Sequence, residues 1–494
     1  MNTKKSFDVS IIGGGAAGSS LAIALLQKNP QMKIAIVEKR NQFPQKVGES
    51  VNDIAALFFK YAINVDDIFQ KHVQKGGLRF YFDQVDNQTI EELPDLASPS
   101  YPSRSNGRQL NRSRFDEELL QRCIELGIDV YRGQSFKQLT EEDGFHCLTL
   151  SDDTKIHSSW VVDASGRSRL ISGERKWCQK YEGLQTSATW AHFKLKDHAQ
   201  SFQSKTGWTR RAFAASENAT EHFMGKGYWI WKINIEEDIV SVGIVIDKKY
   251  FPEEVKNPRK HFMSFLENHP LLNIFLSEYE MLKDFHLPHL PHISHKLIEN
   301  KIASLGDASG FIDPLFSPGL EYVGNQVLWL CDVISADFVG KNIEKLSRRY
   351  EKVFVESFKD RFKLYEGRYK VMDDPEIFSL WMTFDLVGYY YGSVVPSLLF
   401  KSCIKRPAQF DLLSRRFYLY FKSMFLTMYD EKKRLGISAP LKSYKTNFYA
   451  RIGPIYGVLL FKTVLVLLLS IKCRILKAQV MNYFKKTRKV AVME

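Results

Sequence analysis

The residues best suited to hold a ligand come early. Gly13, Gly15 and Gly18, with Ala16 and Ala17 among them, spell GxGxxG, and Glu38 followed by Lys39 stands 20 residues after Gly18. Glycines at this spacing permit a tight turn and let a pyrophosphate approach the amides of a helix N-terminus. A carboxylate 20 residues on is able to accept from both hydroxyls of a ribose. That chemistry requires a strand before the turn, a helix after it and a second strand ending at the acid. Residues 7–12 read as a buried strand, residues 22–26 as the apolar stretch of a helix, and residues 34–37 as the returning strand. The pattern predicts a βαβ unit that binds a dinucleotide.

The remaining 450 or so residues bound what such a unit serves. A chain of 494 residues exceeds the size at which one core stops growing, which predicts two or three domains. With 44% hydrophobic and 25% charged residues and no repeats, a disordered or solenoid protein is excluded. Six cysteines, at 123, 147, 178, 331, 403 and 473, are scattered without metal-ligand spacing. They predict no metal site, no disulfide framework and a reducing, cytoplasmic setting, and residues 1–6 run into the strand pattern without an export signal. The net charge of +13 is uneven: residues 401–494 hold 20 Lys and Arg against 4 acidic residues, leaving residues 1–400 at −3. A basic C-terminal region on a near-neutral body suits an anionic membrane surface, an acidic carrier protein or a solvated tail, and fits poorly with a nucleic-acid enzyme, whose catalytic body would be basic.

Three further segments decide which dinucleotide is bound. Asp163-Ala164-Ser165-Gly166-Arg167-Ser168 follows an apolar strand at residues 160–162, and Gly306-Asp307 follows another at 302–305. Arg112-Ser113-Arg114-Phe115-Asp116, with Leu119, fits R-x-x-F-D-x-x-L. These segments resemble the nucleotide-contacting motifs of FAD-dependent hydroxylases. The resemblance implies FAD, with Arg112 near its phosphates and Asp307 facing the ribityl and pyrophosphate region. Asp163, Gly166, Lys39 and Leu320 would be additional cofactor contacts. No second GxGxxG in a strand and helix context is present for a nicotinamide nucleotide, so reduced flavin is expected from a separate reductase.

A narrower resemblance covers residues 7–330. Gly48-Glu49-Ser50 looks like a G-E-[AS] flavin-loop turn, with Glu49 and Ser50 at the cofactor. Lys75-Gly76-Gly77-Leu78-Arg79-Phe80, 26 residues after Glu49, fits K-x-G-x-x-F. Gly227-Tyr228-Trp229-Ile230-Trp231-Lys232-Ile233-Asn234 resembles G-W-x-W-x-I-P, with an extra aromatic and with Asn234 in place of proline. GDASGFIDPLFSPG at residues 306–319 looks like a flavin-facing loop. In these motifs the chain resembles the flavin-dependent halogenases, in which reduced FAD and O2 oxidise a halide and hypohalous acid travels through a tunnel to a lysine. The resemblance implies Lys75 as the catalytic relay, Ser317, Pro318 and Gly319 as the halide turn, and Trp229, Trp231 and Phe316 along the tunnel and substrate. A desolvated lysine amine suits the relay, either neutral enough to take the halogen or charged enough to polarise HOCl.

Two departures shape the expectation. Phe316 stands where tryptophan halogenases carry a glutamate, which points to phenol or pyrrole substrates, carrier-tethered or lipophilic. Pro318 lacks a backbone N–H, and losing one donor to a desolvated anion is expected to cost on the order of 1.5 to 3 kcal/mol. If the halide is lost, a monooxygenase or oxidase of the same fold follows; a membrane-associated polyprenyl reductase is the other alternative.

The expected fold is an α/β, Rossmann-like FAD-binding fold of the hydroxylase type. Its FAD domain is discontinuous, over residues 1–170 and 296–335, around an inserted antiparallel sheet domain at 171–295, with a helical, basic region at 336–494. Residues 377–391 and 417–429 are expected to be helices closing the substrate pocket. Residues 455–471 form a nearly continuous apolar stretch, too short and too interrupted by Lys462 to span a bilayer. It predicts either a buried helix or peripheral contact with an anionic membrane.

Overall fold

A computed structural model of the chain describes residues 5–82, 95–97, 107–142, 144–197, 218–252, 256–269, 272–389, 412–437 and 457–490. Cys403 and the first two residues of the apolar stretch at 455–471 lie outside them. Strand Lys5–Ile12, helix Ala16–Lys28 and strand Ile34–Glu38 form the βαβ unit read from the sequence. The helix buries Leu21, Ala22, Ile23 and Leu25 against the sheet and against helix Gly319–Phe338, which runs across it. Burial on both faces explains why strand Ile34–Glu38 is apolar from Ile34 to Val37 instead of alternating.

The first sheet runs in the order Ile298–Glu299, Ile302–Ser304, Lys155–Asp163, Lys5–Ile12, Ile34–Glu38, Asp129–Arg132, with two further strands attached beside Lys155–Asp163. Its central pairs are parallel. The chain reverses direction of travel between Lys5–Ile12 and its neighbour Lys155–Asp163, a switch point that leaves a crevice at the carboxyl ends of the strands.

The second sheet has seven strands in the order Tyr279–Leu287, Thr186–Leu195, Ile239–Asp247, Tyr228–Asn234, Thr220–Gly225, Leu78–Phe82, Asp95–Ala97. It departs from the expected boundaries. Two of its strands come from before residue 171, and Leu78–Phe82 pairs parallel to Thr220–Gly225. A sheet drawn only from residues 171–295 would leave one backbone edge of the buried strand Thr220–Gly225 unpaired; the segment after Lys75 covers it. Lys75 is thereby brought to the sheet that carries Trp229 and Trp231.

Helices Glu344–Tyr365, Pro375–Tyr389 and Leu412–Arg434 complete the helical region. A last helix, Gly457–Val490, extends 34 residues and takes up the apolar stretch, so the sequence segment was the first half of a longer element. Among the described residues no helix is long and apolar enough to cross a membrane.

Candidate active site

Three loops meet at the switch point. Gly13 has φ +110°, and a Cβ there would lie 2.4 Å from the Ala164 carbonyl oxygen; one on Gly18 would lie 2.0 Å from the Gly13 carbonyl oxygen. Gly306, at φ +67°, packs against Ala17. Backbone bonds tie the loops together: Ala164 N–H donates to Ile12 O and Leu305 N–H to Asp163 O, both at 2.9 Å. Gly15 ends the turn, and helix Ala16–Lys28 starts with no side-chain cap and no acidic residue in its first turn. Its orphan amides and dipole face the crevice.

Lys46 and Arg112 stand beside that helix start, both bonded to the buried Asp116. Burial works against the Asp116 charge, but the two cations outweigh it and hold the carboxyl below its usual range. Arg112 also donates to Val47 O and Gly48 O, which fixes the Gly48–Ser50 turn. Two cations against one carboxylate leave a positive balance beside the amides, which fits a pyrophosphate. Lys46 carried no motif and is legible only in three dimensions.

The acids divide into those that hold the loops and one that remains free. Glu38 accepts from Gly14 N–H and Arg40 N–H, both at 2.9 Å, so it organises the turn in addition to lying where a ribose would bind. Glu49 is buried and accepts from His192 Nε2 at 3.0 Å, and Ser50 hydroxyl bonds Thr220 hydroxyl at 3.1 Å. Asp163 is fully buried and its oxygens take four donors from Ser165, Ile171 and Ser172. Its side chain is therefore an internal anchor, while Gly166 in the same loop has φ +65° and open space where a Cβ would be. Asp307 is half-buried, and its carboxylate has no hydrogen-bond partner among the described residues. Its charge acts on Arg167 and Lys46, and its open acceptor oxygens suit a polyhydroxyl chain.

The turn at 313–319 has unusual backbone geometry. Phe316 and Ser317 have φ of +70° and +58°, left-handed values that cost a side-chain-bearing residue on the order of 1 to 3 kcal/mol each. Contacts from helix Glu344–Tyr365 and the turn after it hold this conformation. Tyr365 hydroxyl donates to Leu315 O at 2.8 Å, and the Arg368 guanidinium lies 5.3 Å over the Phe316 ring. Ser317 N–H is turned inward to Pro314 O at 2.9 Å. Pro318 occupies the cap position of helix Gly319–Phe338, with φ −82° and ψ −9°. The next amides, of Gly319 and Leu320, belong to a first helical turn and have no intrahelical acceptor, and a Cβ on Gly319 would meet nothing within 4 Å. The missing amide of Pro318 is thus followed by two donors without intrahelical acceptors at the start of a helix.

A hydrogen-bond chain links this turn to the tryptophans. Trp229 Nε1–H donates to Tyr369 hydroxyl at 3.0 Å, and Tyr369 hydroxyl donates to Asp313 Oδ2 at 2.7 Å. Leu315 N–H caps Asp313 Oδ1 at 3.0 Å. Burial drives the Asp313 carboxyl up to about 6, with the Tyr369 bond opposing the rise. Trp229 and Trp231 lie on one face of strand Tyr228–Asn234 with ring centroids 5.7 Å apart. Gly243 makes room for the second: a Cβ there would sit 2.2 Å from the Trp231 ring. Across the strands His222 stacks on Phe80 at 4.4 Å and leans on Trp229 at 5.6 Å. Its Nδ1 lies 3.1 Å from Arg79 O, which only accepts, so the proton is on Nδ1. Burial, together with the Lys75 charge, holds His222 neutral by pulling it down to about 3.

Lys75 is half-buried just before strand Leu78–Phe82, its N–H bonded to Gly107 O at 2.9 Å. Burial lowers its amine to about 8, with Asp53 partly offsetting the effect. His222, Trp229 and Trp231 therefore form an aromatic wall on which the Lys75 charge acts, and Tyr369 and Asp313 connect that wall to the turn at Leu315. The sequence pointed to the ends of this assembly and missed its middle: His222, Tyr369 and the role of Asp313.

The tryptophan halogenase family model matches residues 85–373. Flavin-dependent halogenase chlA of Dictyostelium discoideum is 28% identical over 374 residues, covering 67% of this chain and 60% of that protein. The 1H-pyrrole-2-carbonyl-[peptidyl-carrier protein] brominase of Pseudoalteromonas luteoviolacea is 26% identical, over 69% of this chain and 80% of the relative. In fold, the solved halogenase PltM in complex with phloroglucinol and FAD superposes with a TM-score of 0.73 at 17% identity, covering 93% of this chain and 96% of that one.

Proposed function

The chain belongs to the tryptophan halogenase family, and from that premise we propose that it halogenates an electron-rich aromatic using halide, O2 and reduced FAD. The observation that carries this reading is the bonded unit Trp229–Tyr369–Asp313, which fixes an aromatic wall to a turn whose Gly319 and Leu320 amides begin a helix without intrahelical acceptors. When bound, FAD, delivered reduced by a separate flavin reductase, supplies with O2 the two-electron oxidation that makes halide electrophilic. Gly13, Gly15 and Gly18 with Lys46 and Arg112 would face its pyrophosphate, Glu38 its ribose and Asp307 its ribityl chain.

The chain's own residues then divide the work. Gly319 and Leu320 amides orient the halide. Trp229, Trp231 and His222 exclude bulk water and keep the organic substrate apart from the flavin. The Lys75 amine, poised near 8, either takes the halogen as the neutral amine or, protonated, hydrogen-bonds hypohalous acid beside the substrate. Phe316 offers no carboxylate, which favours a phenol or pyrrole that is already activated over an indole. A relative named for a pyrrole on a peptidyl carrier protein supports a carrier-tethered form of the substrate. The described cysteines are all free, which suits a reducing cytoplasm.

Incubating the protein with phenols or pyrroles, an added flavin reductase, O2 and bromide tests the proposal by product mass. A bromine isotope pattern that disappears in Lys75→Ala is expected. Halide-independent addition of oxygen would instead assign a monooxygenase, the outcome that the missing Pro318 amide favours. Turnover without O2 would assign a reductase.

A further inference from the structure

Helix Gly457–Val490 has two apolar faces, and the protein covers one of them. Ile471 and Ile475 are buried against a cluster that includes Trp381 and Phe425, and Leu468 packs beside them. On the same side Arg474 pairs with Glu376, and Gln479 Nε2 donates to Glu431 at 3.4 Å. These contacts fix which way the helix is turned. At roughly 100° per residue, Leu465, Val466, Leu469, Cys473, Leu476 and Val480 fall within an arc of about 100° on the opposite side. All are exposed, Leu469 at 52% and Leu476 at 61%. Lys472 and Lys477, both exposed, border that arc on its two edges. Residues 457–490 contain eight Lys and Arg and no acidic residue.

We propose that this outer face docks in the plane of an anionic lipid surface. An apolar stripe about 22 Å long between two rows of lysine lets the leucines enter the acyl boundary while the amines reach the phosphates. A second copy of the helix is a poor occupant, because two faces of the same sign would be pressed together with no acid to pair. An acidic carrier protein would satisfy the lysines and leave the leucine stripe unexplained. The proposal concerns a surface remote from the crevice and stands whatever the flavin chemistry is. It would bring the pocket to lipophilic aromatic substrates at a membrane.

The full chain is sedimented with phosphatidylcholine vesicles, with and without phosphatidylglycerol, at low and high salt. Binding is expected with phosphatidylglycerol and to weaken with salt. Lys472→Glu/Lys477→Glu should weaken it on the order of 30-fold or more, and Leu469→Glu/Leu476→Glu should abolish it, both leaving FAD binding in solution unchanged. Failure to bind anionic vesicles, or equal binding by either double variant, overturns the proposal. So does self-association, or capture of an acidic carrier protein, that the leucine variant removes while vesicle binding is absent.

Discussion

The nucleotide crevice and the wall that faces the substrate are built by different means. The crevice depends on backbone: Gly13 and Gly18 lie where any side chain would strike a carbonyl, and the loops are tied by main-chain bonds. The wall depends on side chains from four distant segments, joined through Tyr369 and His222. Backbone constraints leave a local mark in sequence because only glycine meets them. Side-chain constraints spread across a fold leave almost none. The two regions should therefore fail differently when altered.

Gly13→Ala is the most damaging change. Its Cβ would overlap Ala164 at an unfavourable φ, so the loops cannot close, and isothermal titration should find no FAD binding. Retained micromolar affinity would show that the crevice tolerates side chains and erase the contrast.

Lys75→Met should act on chemistry and on stability while leaving the cofactor site alone. Halogenation is expected to fall about 10³-fold, with FAD affinity unchanged. Because folding lowers the amine from 10.5 to about 8, burying the protonated form opposes folding at every pH below about 8. That penalty fades as pH rises from 8 to 10.5. The methionine variant should thus be more stable at pH 7 by up to about 3 kcal/mol, with the gap closing by pH 10.5. Urea midpoints at the two pH values measure this.

Tyr369→Phe removes a donor from a buried carboxylate and leaves the Trp229 indole N–H unpaired. A loss of about 3 kcal/mol in stability is expected, with more peroxide released per turnover as the wall loosens. If coupling of flavin oxidation to halogenation is unchanged, the turn and the wall are not one unit.

The smallest effect is the pH dependence of Asp313. Its carboxyl is raised from 3.8 to about 6, so the stability it contributes is present below about 4 and lost as pH rises through 6. The native chain should lose about 2 to 3 kcal/mol across that window beyond what Asp313→Asn loses. Equal slopes in denaturation would place the charge elsewhere.

How much was legible follows from the same division. The βαβ unit, Glu38, the Gly306–Asp307 loop and the family resemblance rest on contiguous motifs with steric reasons. Lys75 and the tryptophan pair were visible as motif members. Lys46, His192, His222 and Tyr369 were not, because a lone Lys, His or Tyr in an unremarkable stretch carries no periodicity or spacing to mark it. Asp163 shows the converse: it was visible as a motif member, yet its side chain anchors its own loop through Ser165, Ile171 and Ser172.

By itself the sequence determined a dinucleotide crevice, since glycine spacing encodes φ and close approach directly. It also determined a basic C-terminal region, since charge is additive along the chain. Tertiary structure alone decided that Leu78–Phe82 would cross into the second sheet and carry Lys75 to the tryptophans, because strand pairing is chosen by edges distant in sequence. It decided that Pro318 would sit at the N-terminal cap of a helix whose next two amides have no intrahelical acceptor. It also decided which apolar face of Gly457–Val490 would be covered, because one helix packs one side at a time.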